Sequence, residues 1–181
     1  GNLVPPTFLG WYKPGLQPAT GAFVLTQLAL ASVFHGGPLM GPLITLIRTR
    51  PGTLALAAGV GLGLALIGPT DPNFDAGRFS GIWYGARALP VLGGRTSLFF
   101  LLGAPAGAIA LVAWLSLMPR PTRWILFLTL LGFGAAQTLS VQLWQRYHEP
   151  MVLMWTAWAA ALAVRASRLV EVRGWVAGDD S

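Results

Sequence analysis

Long apolar runs alternate with short polar clusters along this chain, and that pattern predicts an all-α, polytopic transmembrane helix bundle. Five spans follow from it, at about residues 20–47, 53–67, 98–118, 124–143 and 151–164. At 1.5 Å per residue the first run would reach about 42 Å, well beyond a hydrocarbon core of roughly 30 Å. Gly36-Gly37-Pro38 and Pro42 lie inside it, so a kink or a broken helix is expected there. The second run is short and holds Gly59, Gly61 and Gly63, which include a G-x-x-x-G pair that lets a neighbouring helix approach closely. Gly103-Ala-Pro-Ala-Gly107 in the third run, and Gly132, Gly134, Ala135 and Ala136 in the fourth, are further expected contact patches. The fifth run is short for a crossing and is expected to borrow residues from its flanks.

The connection between the second and third runs is the longest polar stretch. Its residues 75–89 fit one amphipathic surface helix: Phe79, Ile82, Trp83, Ala86 and Leu89 share a face, and Ser80 and Tyr84 fall opposite. Asp75 is the expected N-cap and Pro90 the stop. Arg78 and Arg87 flank the apolar face, where they are expected to snorkel to lipid headgroups. Residues 1–19, with Trp11, Tyr12 and Lys13, read as an irregular interfacial segment, and residues 165–181 as a polar tail of one membrane domain, 1–181.

Composition sharpens the class. Charged residues make up 10% of the chain, against about 25% in a typical soluble domain. The net charge of +6 forms no stripe or block, which argues against nucleic acid as a partner. The basic residues sit at the ends of apolar runs instead. Arg48, Arg50, Arg120, Arg123, Arg165, Arg168 and Arg173 fall on one side of a five-span chain, and Lys13, Arg78, Arg87, Arg95 and Arg146 on the other. The short basic loops should be cytoplasmic, which predicts an integral protein of a bacterial inner membrane with a cytoplasmic C-terminus. No cysteine occurs, so disulfides, thiolate metal sites and thiol catalysis are excluded. The chain opens at Gly1 with no signal-peptide pattern; the expectation is that a segment was removed or that this is the later part of a longer chain.

Candidate chemistry concentrates at Trp144-Gln145-Arg146-Tyr147-His148-Glu149-Pro150, at the outer boundary of the last span. Arg146 and Tyr147 suit an anionic headgroup, because a guanidinium can donate two parallel hydrogen bonds to a phosphate. His148 or Glu149 would then handle a proton. The alternative is an interfacial belt, in which Arg, Tyr and Trp anchor the helix. His35, in the middle of the first run, is flagged as an intramembrane ionisable residue. Its alternatives are a hydrogen bond to backbone freed by the kink and haem ligation with His148, which would require the two residues at one depth. Asp71 and Asp75 can be read as an acid/base or metal pair, or as turn and cap chemistry. Gln137, Thr138, Ser140 and Gln142 either line a cavity or hydrogen-bond across helices. No nucleotide-binding loop, nucleophile elbow or paired metal-ligand motif occurs, so neither metal nor cofactor is expected and the catalytic residue is unknown.

Gly77-Arg78-Phe79-Ser80-Gly81-Ile82-Trp83, followed by Arg87-Ala-Leu-Pro90, Gly94-Arg95, two further spans and Gln145-Arg146-Tyr147-His148-Glu149-Pro150, resembles the later half of GT-C-type membrane glycosyltransferases. The likeness is to bacterial proteins of the dolichyl-phosphate-mannose-protein mannosyltransferase-like group and covers roughly residues 20–170. It implies a polyprenyl-phosphate-linked sugar as donor, transfer at the outer face, and Arg146 and Tyr147 on the donor phosphate. Such enzymes carry their acidic catalytic motif in a first outer loop that has no counterpart here, so the resemblance implies the C-terminal part of one. The alternative is a non-catalytic accessory subunit that docks with other membrane subunits.

Overall fold

A computed structural model describes the backbone of residues 15–73, 78, 81–139 and 145–178, and the side chains of these apart from 145–147 and 166–178. Almost all of this is helical. The helices are α1 (Thr20–Phe34), α2 (Gly36–Thr49), α3 (Pro51–Ile67), α4 (Trp83–Ala88), α5 (Leu98–Ser116), α6 (Arg120–Gln137) and α7 (Gln145–Gly178). Local chemistry explains several boundaries. Pro51 opens α3 at a position where a missing N–H costs nothing. The Ser97 hydroxyl caps α5 by accepting from Phe99 N at 3.3 Å.

The first apolar run breaks at His35, and α1 and α2 meet at 110°. Pro38 has no N–H, and its ring would collide with the carbonyl of Phe34 in a continuous helix. In the first turn of α2 neither defect matters. His35 N donates to Ser32 O (3.2 Å) rather than to Ala31 O, and the His35 ring closes the account, with Nδ1 3.0 Å from the Ala31 oxygen. The expected hydrogen bond to backbone freed by the kink is therefore present.

α5 lies against α1 and α3 along its length. A Cβ on Gly107 would run into the Leu25 carbonyl, and one on Gly103 would come within 2.5 Å of the Thr26 methyl. On the other flank, a Cβ on Gly61 would lie 2.5 Å from Ala104 O. Two buried indoles find partners across helices: Trp114 Nε1 donates to Ser32 Oγ (3.0 Å), and Trp155 Nε1 to Leu126 O (2.9 Å). α1, α5 and α7 start at one end of the bundle, where α3 and α6 finish. At the opposite end Thr49, Arg50, Ser116 and Arg123 line a hollow of about 470 Å³.

Several expectations need correction. Among the described residues, one helix, Leu98–Ser116, is long and apolar enough to cross a membrane, or two if the bent pair α1–α2 counts as one, rather than about five. α3 is apolar but has 17 residues, and α6 opens on Arg120 and Arg123 and stops at Gln137. α7 is continuous from Gln145 to Gly178, so one helix covers the expected last span and continues into the polar segment after it. Gly59 and Gly63, the G-x-x-x-G pair, face open space, as do Gly132 and Gly134; Gly61 makes the contact. Of the surface helix expected over 75–89, Trp83–Ala88 is helical, and Gly81 before it adopts φ +63°, a left-handed conformation, while residues 75–77, 79 and 80 lie outside the described residues. Within that helix the expected faces hold: Trp83 and Ala86 are buried and Tyr84 is exposed. A two-stranded hairpin follows, β1 (Val91–Leu92) and β2 (Thr96–Ser97), turned by Gly93 and Gly94, both with positive φ. The segment holding Trp11, Tyr12 and Lys13, together with Asp75, Phe79, Ser80, Ser140 and Gln142, lies outside the described residues.

The glycine contacts differ enough to test by substitution. Gly107→Ala and Gly61→Ala should each destabilise the bundle by about 1–3 kcal/mol, because backbone, rather than a flexible side chain, must move aside. Gly63→Ala, with nothing within 4 Å, should be neutral or stabilise by up to about 1 kcal/mol. Thermal midpoints in detergent measure the difference, and equal effects at 61 and 63 would refute the packing described.

Candidate functional site

Phe23, in the first turn of α1, is the hub of the end where α1, α5 and α7 begin. Its ring stacks on Trp83 of α4 (centroids 5.4 Å) and on Phe100 of α5 (6.0 Å), and Trp83 and Phe100 lie 4.9 Å apart. All three are fully buried. His148, in the first turn of α7, meets the Phe23 ring edge-on at 5.1 Å and Phe133 of α6 at 5.9 Å. Offset and edge-to-face pairs of this kind add roughly 0.5–1.5 kcal/mol each beyond area burial. One ring therefore joins α1, α5 and α7 with α4, in the connection that follows α3.

That connection is held by polar bonds. Thr70 N and Asp71 N both donate to Arg95 O (2.8 and 3.1 Å), and Arg95 Nη2 donates to Ile67 O (3.0 Å). Thr70 Oγ1 accepts from Ser97 N (3.0 Å), and Ser97 Oγ donates to Ala86 O (3.2 Å). Asp71, so fixed, receives Arg78: Nη1 lies 3.0 Å from Asp71 Oδ1 and also reaches Asp71 O at 3.4 Å. The guanidinium carbon sits 5.9 Å from the Trp83 ring centroid, within cation–π range. Burial lowers the pKa of Arg78, while the charge and hydrogen bond of Asp71 act against that shift.

The sequence-derived residues fall into distinct places. Arg78 does not snorkel at the edge of a surface helix: it is 5% exposed, because Gly81 ends the helix before it and Asp71 draws it inward. Arg87 is exposed on α4, its guanidinium 5.7 Å from the Tyr84 ring. His148 is buried in the aromatic cluster. Glu149 turns the other way, toward a hollow of about 180 Å³ between α1 and α7. The side chains of Arg146 and Tyr147 lie outside the described residues, although both occupy the first turn of α7.

His35 ends α1 twelve positions beyond the residue that touches His148, a distance of about 18 Å along a helix. The two imidazoles therefore cannot share one iron. Asp71 is engaged with Arg78, and among the described residues no group of three or more His, Asp or Glu side chains could hold a metal ion. Gln137 ends α6, and the Thr138 hydroxyl donates to Ala135 O (2.6 Å) while its carbonyl accepts from Gln17 N (2.7 Å).

Gln27 was missed by sequence reasoning. It lies one turn beyond Phe23, is 5% exposed and lines the same hollow as Glu149. Its one visible signal is a primary amide inside an otherwise apolar run. Comparison with family models, curated proteins and solved structures finds no match for this chain.

The Asp71–Arg78 pair is expected to be structural. Asp71→Ala should cost about 3–5 kcal/mol, the penalty for stranding a buried charge. Asp71→Ala combined with Arg78→Met should recover most of it. Thermal unfolding of the two variants in detergent checks the coupling, and a double variant no more stable than the single would remove it.

Proposed function

We propose that this chain is an integral membrane helix bundle whose outer end recognises a polyprenyl-phosphate-linked sugar, as the C-terminal part of a GT-C-type glycosyltransferase. The observation that carries the proposal is the meeting of the two segments on which the resemblance rests: Trp83 and His148, far apart in sequence, press on the same Phe23 ring.

Support for the bilayer comes from the surface. Large apolar side chains are exposed on each long helix, among them Phe34, Met40, Leu56, Leu102, Leu128 and Met154. Many of the buried positions are alanines. In water such a surface would drive association; in hydrocarbon it carries no penalty, and small residues let helices pack closely. The 17 residues of α3 and 18 of α6 reach about 26–27 Å, which local thinning and snorkelling arginines can match to a bilayer. With the 48–50 and 120–123 turns cytoplasmic, as proposed for a bacterial inner membrane, the aromatic cluster faces outward.

At that outer end Arg87, Arg146 and Tyr147 would bind the lipid phosphate, the two guanidiniums through paired hydrogen bonds. Arg78 is committed to Asp71 and would hold the loop in place instead. No catalytic residue is assigned. The accessory-subunit reading is favoured by the open glycine faces at Gly59, Gly63, Gly132 and Gly134, which suit close approach by another helix.

Native mass spectrometry of the detergent-extracted protein discriminates these readings. Bound polyprenyl phosphate that falls about tenfold in Arg146→Ala supports recognition of the lipid phosphate. Fixed companion subunits without such a lipid support the accessory role. Topology is read separately, using the absence of native cysteine: Tyr84→Cys should react with an impermeant maleimide in intact cells, and Arg120→Cys only after permeabilisation. Labelling of both from one side would overturn the arrangement.

A further inference from the structure

Gln27 is a buried primary amide with a complete set of unused hydrogen-bonding atoms. Neither its Nε2 nor its Oε1 has a hydrogen-bond partner among the described residues. Interiors rarely leave such a group unsatisfied, because the lost hydration is not replaced. The side chain lines the hollow of about 180 Å³ between α1 and α7, together with Glu149. The other walls are apolar and include Leu30, Phe34, Ile82 and Leu153. Leu30, Phe34 and Leu153 are also exposed on the outside of the bundle, so the hollow opens sideways onto its apolar surface.

We propose that this hollow binds the hydroxyl-bearing head of a neutral lipid, which enters sideways from the hydrocarbon. The donor and acceptor inventory selects the class. Gln27 needs a partner that can both accept from its NH₂ and donate to its carbonyl, and the Glu149 carboxylate only accepts. A hydroxyl does both. A phosphate diester offers acceptors alone and leaves the Gln27 carbonyl unmet; an ammonium offers donors alone and leaves the Gln27 NH₂ unmet. The volume exceeds the roughly 150 Å³ of a cavity that holds benzene, which leaves room for a glycerol head. The apolar rim suits the first part of an acyl chain.

The inference rests on the bilayer part of the reading above and is independent of its lipid-phosphate part. The test uses the full chain in phosphatidylcholine nanodiscs, with 1-monooleoylglycerol, oleate and oleylamine as probes. Monooleoylglycerol should bind at least about tenfold more tightly than the other two. Gln27→Leu should weaken it by about tenfold while the thermal midpoint holds or rises, since an apolar group replaces an unsatisfied amide. Leu153→Trp plugs the hollow from an exposed position, leaves both polar groups in place, and should produce the same loss; it carries the test if Gln27→Leu does not fold. Unchanged monooleoylglycerol binding in Leu153→Trp would mean that the hollow holds only water, and a preference for oleylamine would make it an ammonium site; either overturns the proposal. Polyprenyl phosphate binding is read in the same discs. Its loss alone leaves this inference standing, and indifference of monooleoylglycerol to position 153 leaves the lipid-phosphate reading standing.

Discussion

The close approach of α1 and α5 sets the geometry of everything around it. Gly103 and Gly107 have no side chains to hold the helices apart, so the α5 backbone rests directly on Leu25 and Thr26. That spacing brings Phe23 and Phe100 into contact at one end, and Ser32 within reach of the Trp114 indole lower down. Gly61 repeats the device on the other flank, where α3 presses on Ala104 and Pro105. Three helices thus pack backbone to backbone, and α4, α6 and α7 are added around that plate.

Many polar groups of the bundle find partners within it. The His35 ring takes the Ala31 carbonyl, which His35 N leaves free at the break between α1 and α2. Thr156, buried in α7, donates to a carbonyl one turn back on its own helix, as the exposed Thr45, Thr49 and Thr129 do on theirs. Asp71 meets Arg78, and Ser97 meets Thr70 and Ala86. Against this background Gln27 stands out, because both polar atoms of its amide lie buried beside a hollow with no hydrogen-bond partner among the described residues. A carboxylate opens into the same hollow, which makes it the place where recognition has the most to gain.

Burial is also distributed in an unusual way. Alanines fill much of the interior around the buried Trp83, Trp114 and Trp155, while many leucines and isoleucines, with Met40 and Met154, line the outside. In hydrocarbon, the medium proposed above, such a surface would carry no penalty, and close backbone approach rather than expulsion of apolar surface would hold the helices together. The basic residues of the short turns gather at one end, with Arg50 and Arg123 lining a single hollow.

The chain's own pattern determines that it is helical, where its apolar runs lie, and that the first must break near Pro38, because these depend on local stereochemistry and period. The buried face of the short surface helix was legible for the same reason: Trp83, Ala86 and Tyr84 obey helical spacing. Tertiary structure alone decided which glycines touch a neighbour, since Gly59, Gly61 and Gly63 are equivalent in sequence and differ only in the direction they face. It also turned Arg78 inward, because Gly81 interrupts the helix and Asp71 is held seven residues upstream by Arg95. Glu149 and His148 are adjacent in sequence yet point into different environments, one a hollow and one an aromatic core. The partner of a side chain depends on the rotation and depth of other helices, and no residue-by-residue pattern encodes those.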